Sequence, residues 1–388
     1  QVHKRIAPQL PPPIKKQIVP NVQIVHDRIA VEIMRGCTRG CRFCHAGIVN
    51  RPVRQRKVSD VLEAIESGVK ATGYEELSLL SLSSSDHTEI LDMSKAVYEQ
   101  NKGRRLSVSL PSLRIESFSV DLMDELKDLK PGGGFTIAPE AATDRMRAII
   151  NKPLDDKILF ETVETIFNHG WLNLKMYYMI GLPGEGMEDL EAILETARKV
   201  LQIGRRLRGN RVRVHVSIGT FIPKPHTPFQ WAISEDPLSI QEKIDFLRDG
   251  MRQAKIKLSY NRPDSTLLEA WLSRGDRRLG KVIEKAWQLG AKFDAWDEGF
   301  KKEHWYAAFQ ECGVDPHFYT NRERKLNEIF PWDHISTGVF KEYLLEDYQM
   351  SLRGETRQDC RDGCYACGIL DCFAQVRPNA EDVYWGCP

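Results

Sequence analysis

Between residues 28 and 220, short runs rich in apolar and β-branched residues alternate with longer segments whose apolar residues recur at helical spacing. The runs with the composition of strands are residues 29–34, 77–82, 106–110, 135–138, 174–180 and 212–218. Strands that alternate with helices form right-handed βαβ units and a parallel sheet. Six such units are fewer than the eight of a closed barrel, so we predict an α/β fold built on a partial (β/α)6 barrel. Functional side chains are then expected at the carboxyl ends of the strands.

Two of the helical segments have an especially regular apolar stripe. In the first, Ser59 has the character of an N-cap, and Val61, Leu62, Ile65 and Val69 share one face. The second begins at Asp189, and its stripe consists of Leu190, Ile193, Leu194, Ala197 and Leu201.

From about Pro237 the pattern becomes mainly helical. Tryptophans in such a region are usually part of the core, and this is the expectation for Trp271, Trp287, Trp296, Trp305 and Trp332. Glycine and cysteine become dense from Gly354 onward, which predicts a small, loop-rich module that needs a metal to fold.

The first residues are rich in proline and lysine, which is typical of a linker or an extended arm. Because Gln1 is not an initiator methionine, we expect the natural protein to begin earlier. The predicted division is an arm over residues 1–24, the partial barrel over 25–235, a helical region over 236–353, and a cysteine-rich metal-binding module over 354–388.

The composition is that of a soluble globular protein, with 41% apolar and 28% charged residues among 388. A formal net charge of +1 gives no indication of nucleic acid or membrane binding. We find no apolar stretch long enough to span a bilayer and no signal peptide, so we expect a cytoplasmic protein without a membrane partner. Basic runs at 51–57 and 205–213 are interpreted as solvated surface, with a channel for a phosphate-bearing substrate as the alternative.

Seven of the nine cysteines fall in two tight clusters. The members of these clusters are Cys37, Cys41 and Cys44, and then Cys360, Cys364, Cys367 and Cys372. Secreted disulfide scaffolds are short and spread their cysteines, whereas this chain is long and concentrates them, which indicates metal binding. Cys312 is predicted to be a buried core thiol, and Cys387 has no assignment at this stage.

The first cluster has the spacing C-x3-C-x2-C and follows the first predicted strand. A structural zinc needs four ligands, but only three thiolates lie here. Three local thiolates suit a four-iron cluster in which one iron stays open for another ligand. The alternatives are a zinc site completed from elsewhere in the chain, or reduced thiols without metal.

With Phe43 before its third cysteine, this motif resembles that of the radical S-adenosylmethionine (SAM) superfamily, and the resemblance covers residues 25–235. It implies a partial (β/α)6 barrel and a [4Fe-4S] cluster on Cys37, Cys41 and Cys44, whose open iron binds the methionyl amine and carboxylate of SAM. An electron from a donor such as ferredoxin or flavodoxin would then cleave SAM to methionine and a 5′-deoxyadenosyl radical. The protein orients the cofactor and excludes side reactions.

The resemblance also implies which residues contact SAM, since several strand-end segments match those of methylthiotransferases in order. The residues that it assigns to the SAM site are Phe43, Ser83, Ser84, Ser85, Ser109, Ser112, Arg114, Glu140, Arg145, Gly181, Leu182 and Pro183. Taken singly, several of these segments have the composition of ordinary helix caps or turns.

Segments 224–231 and 330–335 and the terminal cysteine element resemble, more closely, radical SAM proteins that carry a B12-binding domain in front of the barrel. Residues 1–388 do not contain such a domain, so the resemblance implies cobalamin only through a domain attached ahead of the proline-rich start.

The second cluster offers four cysteines within thirteen residues. A structural zinc and an auxiliary [4Fe-4S] cluster both accept four thiolates, and we favour the cluster because radical enzymes often carry a second one. If Cys372 turned away, one iron would be open, and Cys387 could also take its place.

The leading hypothesis is therefore a transferase that cleaves SAM reductively to start radical methylation or sulfur insertion on an RNA, protein or small-molecule substrate. Methylthiotransferase-like activity on RNA or ribosomal protein is the alternative within this class. A non-catalytic adaptor with zinc or iron–sulfur sites is the alternative from another class. The sequence identifies no residue that acts directly on the substrate.

Overall fold

The computed structural model of the chain describes residues 2–104, 106–110, 114–115, 134–296, 298–377, 385 and 387. Its parallel strands are β1 (Ile29–Glu32), β2 (Glu76–Leu80), β3 (Ser107–Ser109), β4 (Phe135–Glu140), β5 (Asn173–Ile180), β6 (Arg213–Thr220) and β7 (Lys257–Tyr260). They form two sheets, β1-β2-β3 and β4-β5-β6-β7, in which every pair is parallel and sequential strands are neighbours.

All six predicted strands are present, and the predicted α/β class is confirmed. The seventh strand, β7, was not predicted. It has four residues and lies at the edge of its sheet with none of them buried. A strand that buries no residue has a weak hydrophobic pattern, which is why the sequence did not reveal it.

The helices of the described residues lie between the strands and, after β6, along the second half of the chain. Their bounds are His45–Val49, Val58–Thr72, Ile90–Asn101, Asp144–Ile149, Asp156–Asn168, Met187–Arg208, Pro237–Ala254, Pro263–Arg274, Leu279–Gln288, Lys302–Glu311, His317–Thr320, Lys341–Leu352 and Ile369–Phe373. In helix Met187–Arg208, every residue of the predicted apolar stripe is buried. The prediction that Ser59 is an N-cap is wrong, because helix Val58–Thr72 begins one residue earlier and is capped by Lys57 without a side-chain bond.

The largest core lies between the second sheet and the helices that cover it. Alternate residues of β5 point into it, namely Leu174, Met176, Tyr178 and Ile180. Apolar side chains on one face of the sheet and on one stripe of each helix are buried together in this way. A separate, smaller core covers the first sheet.

Three of the five tryptophans of the helical region are buried as predicted, namely Trp271, Trp305 and Trp332. The prediction is wrong for Trp287 and Trp296, which are 62% and 64% exposed. Helix Leu279–Gln288 buries Leu279, Val282 and Ala286, and Trp287 falls outside this stripe.

Both ends of the chain lie against the loop that follows β1. Val2–His3 pairs with Ile335–Ser336, and the Nζ of Lys4 donates to the carbonyl oxygens of Val49 and Arg51 at 2.7 and 2.8 Å. Near the other end, the indole of Trp385 donates to the carbonyl of Pro8 at 2.9 Å. Among the helices that the structure describes, none is both long and apolar enough to cross a bilayer.

Gly204, within helix Met187–Arg208, permits close packing in the main core. A Cβ added there would lie 2.7 Å from Cγ1 of Val212 and 2.8 Å from Cζ of Phe167. We expect Gly204→Ala to lower the free energy of unfolding by about 1–2 kcal/mol, because overpacking outweighs the helix propensity gained. Urea denaturation followed by circular dichroism measures the change.

Gly280→Ala is the matched control, since Gly280 is also helical and has no atom within 4 Å of an added Cβ. This variant should keep the free energy of unfolding or raise it by up to about 1 kcal/mol. Equal effects of the two substitutions would contradict the packing argument.

Candidate metal centre and cofactor site

The first cysteine cluster occupies a loop at the carboxyl end of β1. Two glycines with positive φ, Gly36 and Gly40, let the chain turn twice between the strand and the third cysteine. At Gly36 a Cβ would lie 2.8 Å from the carbonyl oxygens of Asn50 and Pro52, so a larger residue would not fit. The loop ends at Cys44, which caps helix His45–Val49 with its Sγ 3.3 Å from the amide of Gly47.

Cys41 lies near both of the other cysteines of this loop, Cys37 and Cys44. Burial, with the nearby Cys41 as the second cause, raises the pKa of Cys37 to about 12 and also raises the pKa of Cys44. Buried thiols are difficult to ionise unless positive charge compensates, and coordination to iron provides such charge. One guanidinium is already in place, since Nη1 of Arg114 lies 3.6 Å from Sγ of Cys41. This donor set fits an iron–sulfur cluster held by three cysteines.

Arg42 anchors the loop from within, and sequence reasoning did not identify it. Its side chain is fully buried and donates to the carbonyl oxygens of Ala148 and Ile149, both at 2.9 Å. It also donates to Oδ1 of Asp347 at 3.1 and 3.2 Å and to the carbonyl of Glu355 at 2.7 Å. The loop is thus fixed to helix Lys341–Leu352 by a buried ion pair.

The serine segment after β2 lies beside the same loop. Ser83, Ser84 and Ser85 are buried, and the Oγ of Ser85 accepts the amide of Arg114 at 3.0 Å. Since Arg114 also reaches Cys41, this segment lies near the cysteines, and its contact with SAM stays a prediction. Ser109 lies one strand further along, where its Oγ donates to the carbonyl of Leu77 at 3.3 Å.

Ser112 falls outside the described residues.

Glu140 ends β4 with a positive φ of 68°. Its Oε1 accepts from Nζ of Lys152 at 3.3 Å, and Lys152 also donates to the carbonyl of Ala138 at 2.5 Å. Both charges are close enough to Cys44 to affect its pKa. Lys152 was not among the predicted site residues, and nothing in the local pattern distinguished it.

Arg145 is placed differently from Glu140. Its guanidinium donates to the carbonyl of Gly184 at 2.8 Å and pairs with Asp189, at the start of helix Met187–Arg208. It joins two strand-end loops, and these partners occupy its donors.

The turn after β5 contains Gly181, Leu182 and Pro183. Gly181 has a φ of 78°, and its amide donates to Oε2 of Glu185 at 2.8 Å. Burial raises the pKa of Glu185, and Nζ of Lys243 pairs with its carboxylate at 2.7 Å.

Leu182 is buried in a small apolar cluster against which Phe43 packs. The turn and the cysteine loop are therefore neighbours.

His226 lies in the proline-rich segment that follows β6. Burial, and then the nearby His45, lower the pKa of His226 to about 4, so its imidazole is neutral at physiological pH. His45 directly follows Cys44, which places the exit of β6 at the same opening.

The second cysteine segment packs directly on the first, although 321 residues separate the two chain positions that meet there. The hydroxyl of Thr38 donates to Oδ2 of Asp359 at 2.9 Å, and the amide of Cys360 donates to the carbonyl of Thr38 at 3.2 Å. Arg39 and Arg361 both pair with Asp359, at 3.1 and 3.0 Å.

The same two arginines pair with Asp86 of the serine segment. Burial opposes ionisation of Asp86, but hydrogen bonds from Arg39 and Ser83 lower its pKa to about 2. A network of two arginines and two carboxylates therefore joins the two cysteine segments.

The predicted ligands of the second cluster are not all in equivalent places. Cys360 and Cys367 are half-buried, and Cys364 is exposed in the same loop. Cys372 lies on helix Ile369–Phe373, is exposed, and borders a cavity shared with Lys4. Among the residues described, no three histidine, cysteine or acidic side chains form a ready site for a single metal ion. A four-iron cluster binds each cysteine to a different iron, so its ligands surround a larger body.

Residues 31–197 match the family model of the radical SAM superfamily. The chain is 30% identical over 284 residues to an uncharacterized protein of Methanocaldococcus jannaschii, a match covering 73% of the chain and 60% of that protein. It is 28% identical over 178 residues to the ribosomal protein uS12 methylthiotransferase RimO of Desulfotalea psychrophila, which covers 44% and 40% of the two chains. The chain thus spans less than two thirds of either relative.

Among solved structures, the chain resembles Streptococcus suis SuiB bound to precursor peptide SuiA, with a TM-score of 0.44 and 10% identity over 62% of this chain and 51% of that one.

The buried pair of Arg42 and Asp347 should be essential for the stability of the loop. We expect Arg42→Ala to lower the free energy of unfolding by about 2–3 kcal/mol, because buried acceptors lose their charged donor. Asp347 keeps its second partner, Arg357, at 3.2 Å. Urea denaturation of the metal-free protein measures this directly.

Arg35→Ala is the control, since Arg35 pairs with Glu32 at 2.7 Å with both side chains about one third exposed. It should cost less than about 1 kcal/mol. A loss for Arg42→Ala no larger than that of the control would contradict the anchoring role.

Proposed function

Because residues 31–197 of this chain form a radical SAM domain, we propose that Cys37, Cys41 and Cys44 hold a [4Fe-4S] cluster with which the protein cleaves SAM reductively. When bound, the cluster and SAM together supply a 5′-deoxyadenosyl radical, which starts the modification of a substrate. The electron comes from a donor of the ferredoxin or flavodoxin class.

One observation carries this proposal, namely that three cysteines, with Cys41 near the other two, lie in one loop at the carboxyl end of a parallel strand. Three thiolates leave one iron of a four-iron cluster without a protein ligand, and that iron can accept the cofactor. Arg42 fixes the loop through buried bonds, so the cysteines are positioned before the cluster binds. Arg114, at 3.6 Å from Cys41, contributes positive charge beside the anionic site.

The strand ends around the loop supply the groups that bind and orient SAM. The hydroxyls of Ser83 and Ser84 already bond to Asp86 and Ser81, at 2.6 and 2.8 Å. Their remaining acceptor capacity would bind the methionyl amine of SAM. Glu140 and Lys152, both near Cys44, offer an acceptor and a donor of opposite charge.

The turn after β5 presents Gly181 and Leu182 to the adenine. Glycine is required at position 181 because a Cβ there would lie 2.8 Å from Cδ1 of Ile240. The buried side chain of Leu182 would exclude water from the adenine. The pair of Glu185 and Lys243 holds this turn in place.

We further propose that the reaction is a group transfer, either methylation or sulfur insertion. The similarity to the methylthiotransferase RimO supports the second form. The C-terminal cysteines, whose segment packs against the first loop, would hold a second [4Fe-4S] cluster. If the natural protein carries a B12-binding domain, the group transfer would be methylation with cobalamin.

Methylthiotransfer to a protein is a second candidate, because ribosomal protein uS12 is the substrate named for that relative. Incubating reconstituted protein with SAM, dithionite, sulfide and uS12, followed by mass spectrometry, tests it. A mass increase of one methylthio group supports this candidate, and unmodified uS12 beside active SAM cleavage rules out this substrate.

The central proposal predicts that anaerobically reconstituted protein contains about eight irons if both sites hold [4Fe-4S] clusters. With dithionite and SAM it should form methionine and 5′-deoxyadenosine, which liquid chromatography quantifies. The triple variant Cys37→Ala, Cys41→Ala, Cys44→Ala should lose about half of the iron and reduce 5′-deoxyadenosine at least a hundredfold.

Cys312→Ala is the control, because Cys312 is half-buried against the core of the helical region, away from both clusters. It should retain iron and SAM cleavage. Cleavage that persisted in the triple variant would refute the proposal, and colourless, zinc-loaded protein without cleavage would favour the non-catalytic adaptor.

A further inference from the structure

We propose that Cys387, and not Cys372, completes the second cysteine site, so that Cys360, Cys364, Cys367 and Cys387 hold a fully thiolate-ligated [4Fe-4S] cluster beside the buried guanidinium of Arg51. This inference rests on the iron–sulfur chemistry of the proposed function and adds the ligand set and the charge balance of the second centre.

Three of the four cysteines repeat the arrangement of the first loop. Cys360, Cys364 and Cys367 have the spacing C-x3-C-x2-C, the same as Cys37, Cys41 and Cys44. The sharp turns differ in position, since Ala366 with a φ of 49° precedes the third cysteine, whereas Gly40 precedes the second cysteine of the first loop. A loop of this kind supplies three ligands, and a closed cluster needs a fourth from elsewhere.

Cys387 is the thiol best placed to be the fourth ligand. It is half-buried and packs against the same apolar cluster as Cys367. Burial, and then the proximity of Cys367 and Cys360, raise the pKa of Cys387 to about 11, and Cys364 adds to this effect. All three cysteines of the loop are therefore within electrostatic range of this thiol.

The position of Cys387 is fixed by Trp385. The indole of Trp385 is buried, donates to the carbonyl of Pro8 at 2.9 Å, and its residue forms a bridge with Arg54. The amide of Cys387 donates to the carbonyl of Trp385 at 2.7 Å. The chain end is thereby held against the loop that contains Arg51.

Cys372, the alternative fourth ligand, lies at the surface of this module. It is exposed on helix Ile369–Phe373, and Cys367 is the one loop cysteine that affects its pKa. Its neighbours include Lys4 and Gly338, which line the same cavity. Cys372 is therefore exposed at a cavity, whereas Cys387 is half-buried against the apolar cluster that Cys367 also contacts.

Arg51 is the second, independent observation. The residue is 3% exposed, and its Nη1 lies 3.5 Å from the hydroxyl of Tyr343. Its Nε and Nη2 have no hydrogen-bond partner among the described residues. A buried guanidinium with two unsatisfied nitrogens is unfavourable by several kcal/mol unless negative charge lies nearby.

The second cysteine site provides that charge. Burial lowers the pKa of Arg51, but Tyr343, Cys360 and Cys367 outweigh it and raise the pKa overall. A [4Fe-4S] cluster with four thiolates is a dianion in its oxidised state, so a cation at this position offsets part of its charge. On its other side, Arg51 reaches the first loop, since a Cβ on Gly40 would lie 3.5 Å from its Nη2.

The ligand set decides what the second cluster can do. With four thiolates, each of its irons is ligated by the protein, and no iron is open for a substrate or an added sulfur atom. The two centres would then differ, since the first is open for SAM and the second is closed.

The test uses full-length protein purified and reconstituted anaerobically, with the Cys37→Ala, Cys41→Ala, Cys44→Ala variant as the parent so that iron reports on the second site alone. The parent should keep about four irons. Adding Cys387→Ser should remove at least half of them or convert the cluster to a three-iron form with its own paramagnetic resonance signal. Adding Cys372→Ser should leave the iron content and the spectrum unchanged.

Loss of iron with Cys372→Ser and retention with Cys387→Ser would overturn the ligand assignment, and so would retention in both. A parent variant without iron would overturn the second cluster itself. The proposed function is tested separately by SAM cleavage in the wild-type protein, so the two failures are distinguishable.

Differential alkylation of the wild-type protein avoids any folding defect of a variant. In iron-loaded protein, iodoacetamide should modify Cys372 and spare Cys387, and removal of iron by a chelator should expose Cys387. Equal modification of both thiols in the loaded protein would contradict the assignment.

Arg51→Met and Arg51→Lys test the charge balance in the same parent. Removing the cation should lower the midpoint potential of the second cluster, because the reduced form carries one more negative charge. Lysine should restore most of the potential. An unchanged potential in Arg51→Met would show that Arg51 does not act on the cluster.

Discussion

The structure depends on holding thiols together in a place where their negative charge is poorly solvated. Burial raises the pKa of Cys37, Cys44, Cys360 and Cys387. Thiolates in such surroundings require positive charge from bound metal and from the protein. The protein's share of this positive charge comes from arginines. Nη1 of Arg114 lies 3.6 Å from Sγ of Cys41, and we propose the same role for the buried Arg51 at the second site. The folding of both cysteine segments follows from this requirement.

A second consequence is that the two segments form one unit although they lie at opposite ends of the chain. Asp86 and Asp359 each accept bonds from Arg39 and Arg361, and this network joins the serine segment to both loops. Arg42 adds a buried pair with Asp347 on helix Lys341–Leu352. Because these pairs are largely buried, their geometry constrains the loops far more than exposed ion pairs would. The C-terminal module is therefore part of the site and not an independent appendage.

The sequence predicted the elements with strong periodicity and the residues with distinctive chemistry. The alternation of strand-like and helical segments predicted the six strands, and an apolar stripe predicted the helix over Met187–Arg208. The spacing of the cysteines predicted the cysteine loop. Edge strand β7, the exposed Trp287 and the cap at Lys57 were missed or wrong, because each depends on burial that a local pattern does not encode.

The site residues that the sequence did not reveal were missed for one reason. Arg42 and Lys152 act through partners far along the chain or on other elements, and an arginine or lysine has no local signature for such a role. The interpretation of the basic run 51–57 as solvated surface is wrong for the same reason, since Arg51, Arg54 and Arg56 are 3%, 3% and 6% exposed. The most direct test of the account is the Mössbauer spectrum of protein reconstituted with ⁵⁷Fe, recorded before and after SAM is added. The account predicts two [4Fe-4S] clusters, with one iron of one cluster changing its isomer shift and quadrupole splitting on SAM binding. A spectrum that SAM leaves unchanged, or one without [4Fe-4S] signals, would contradict it.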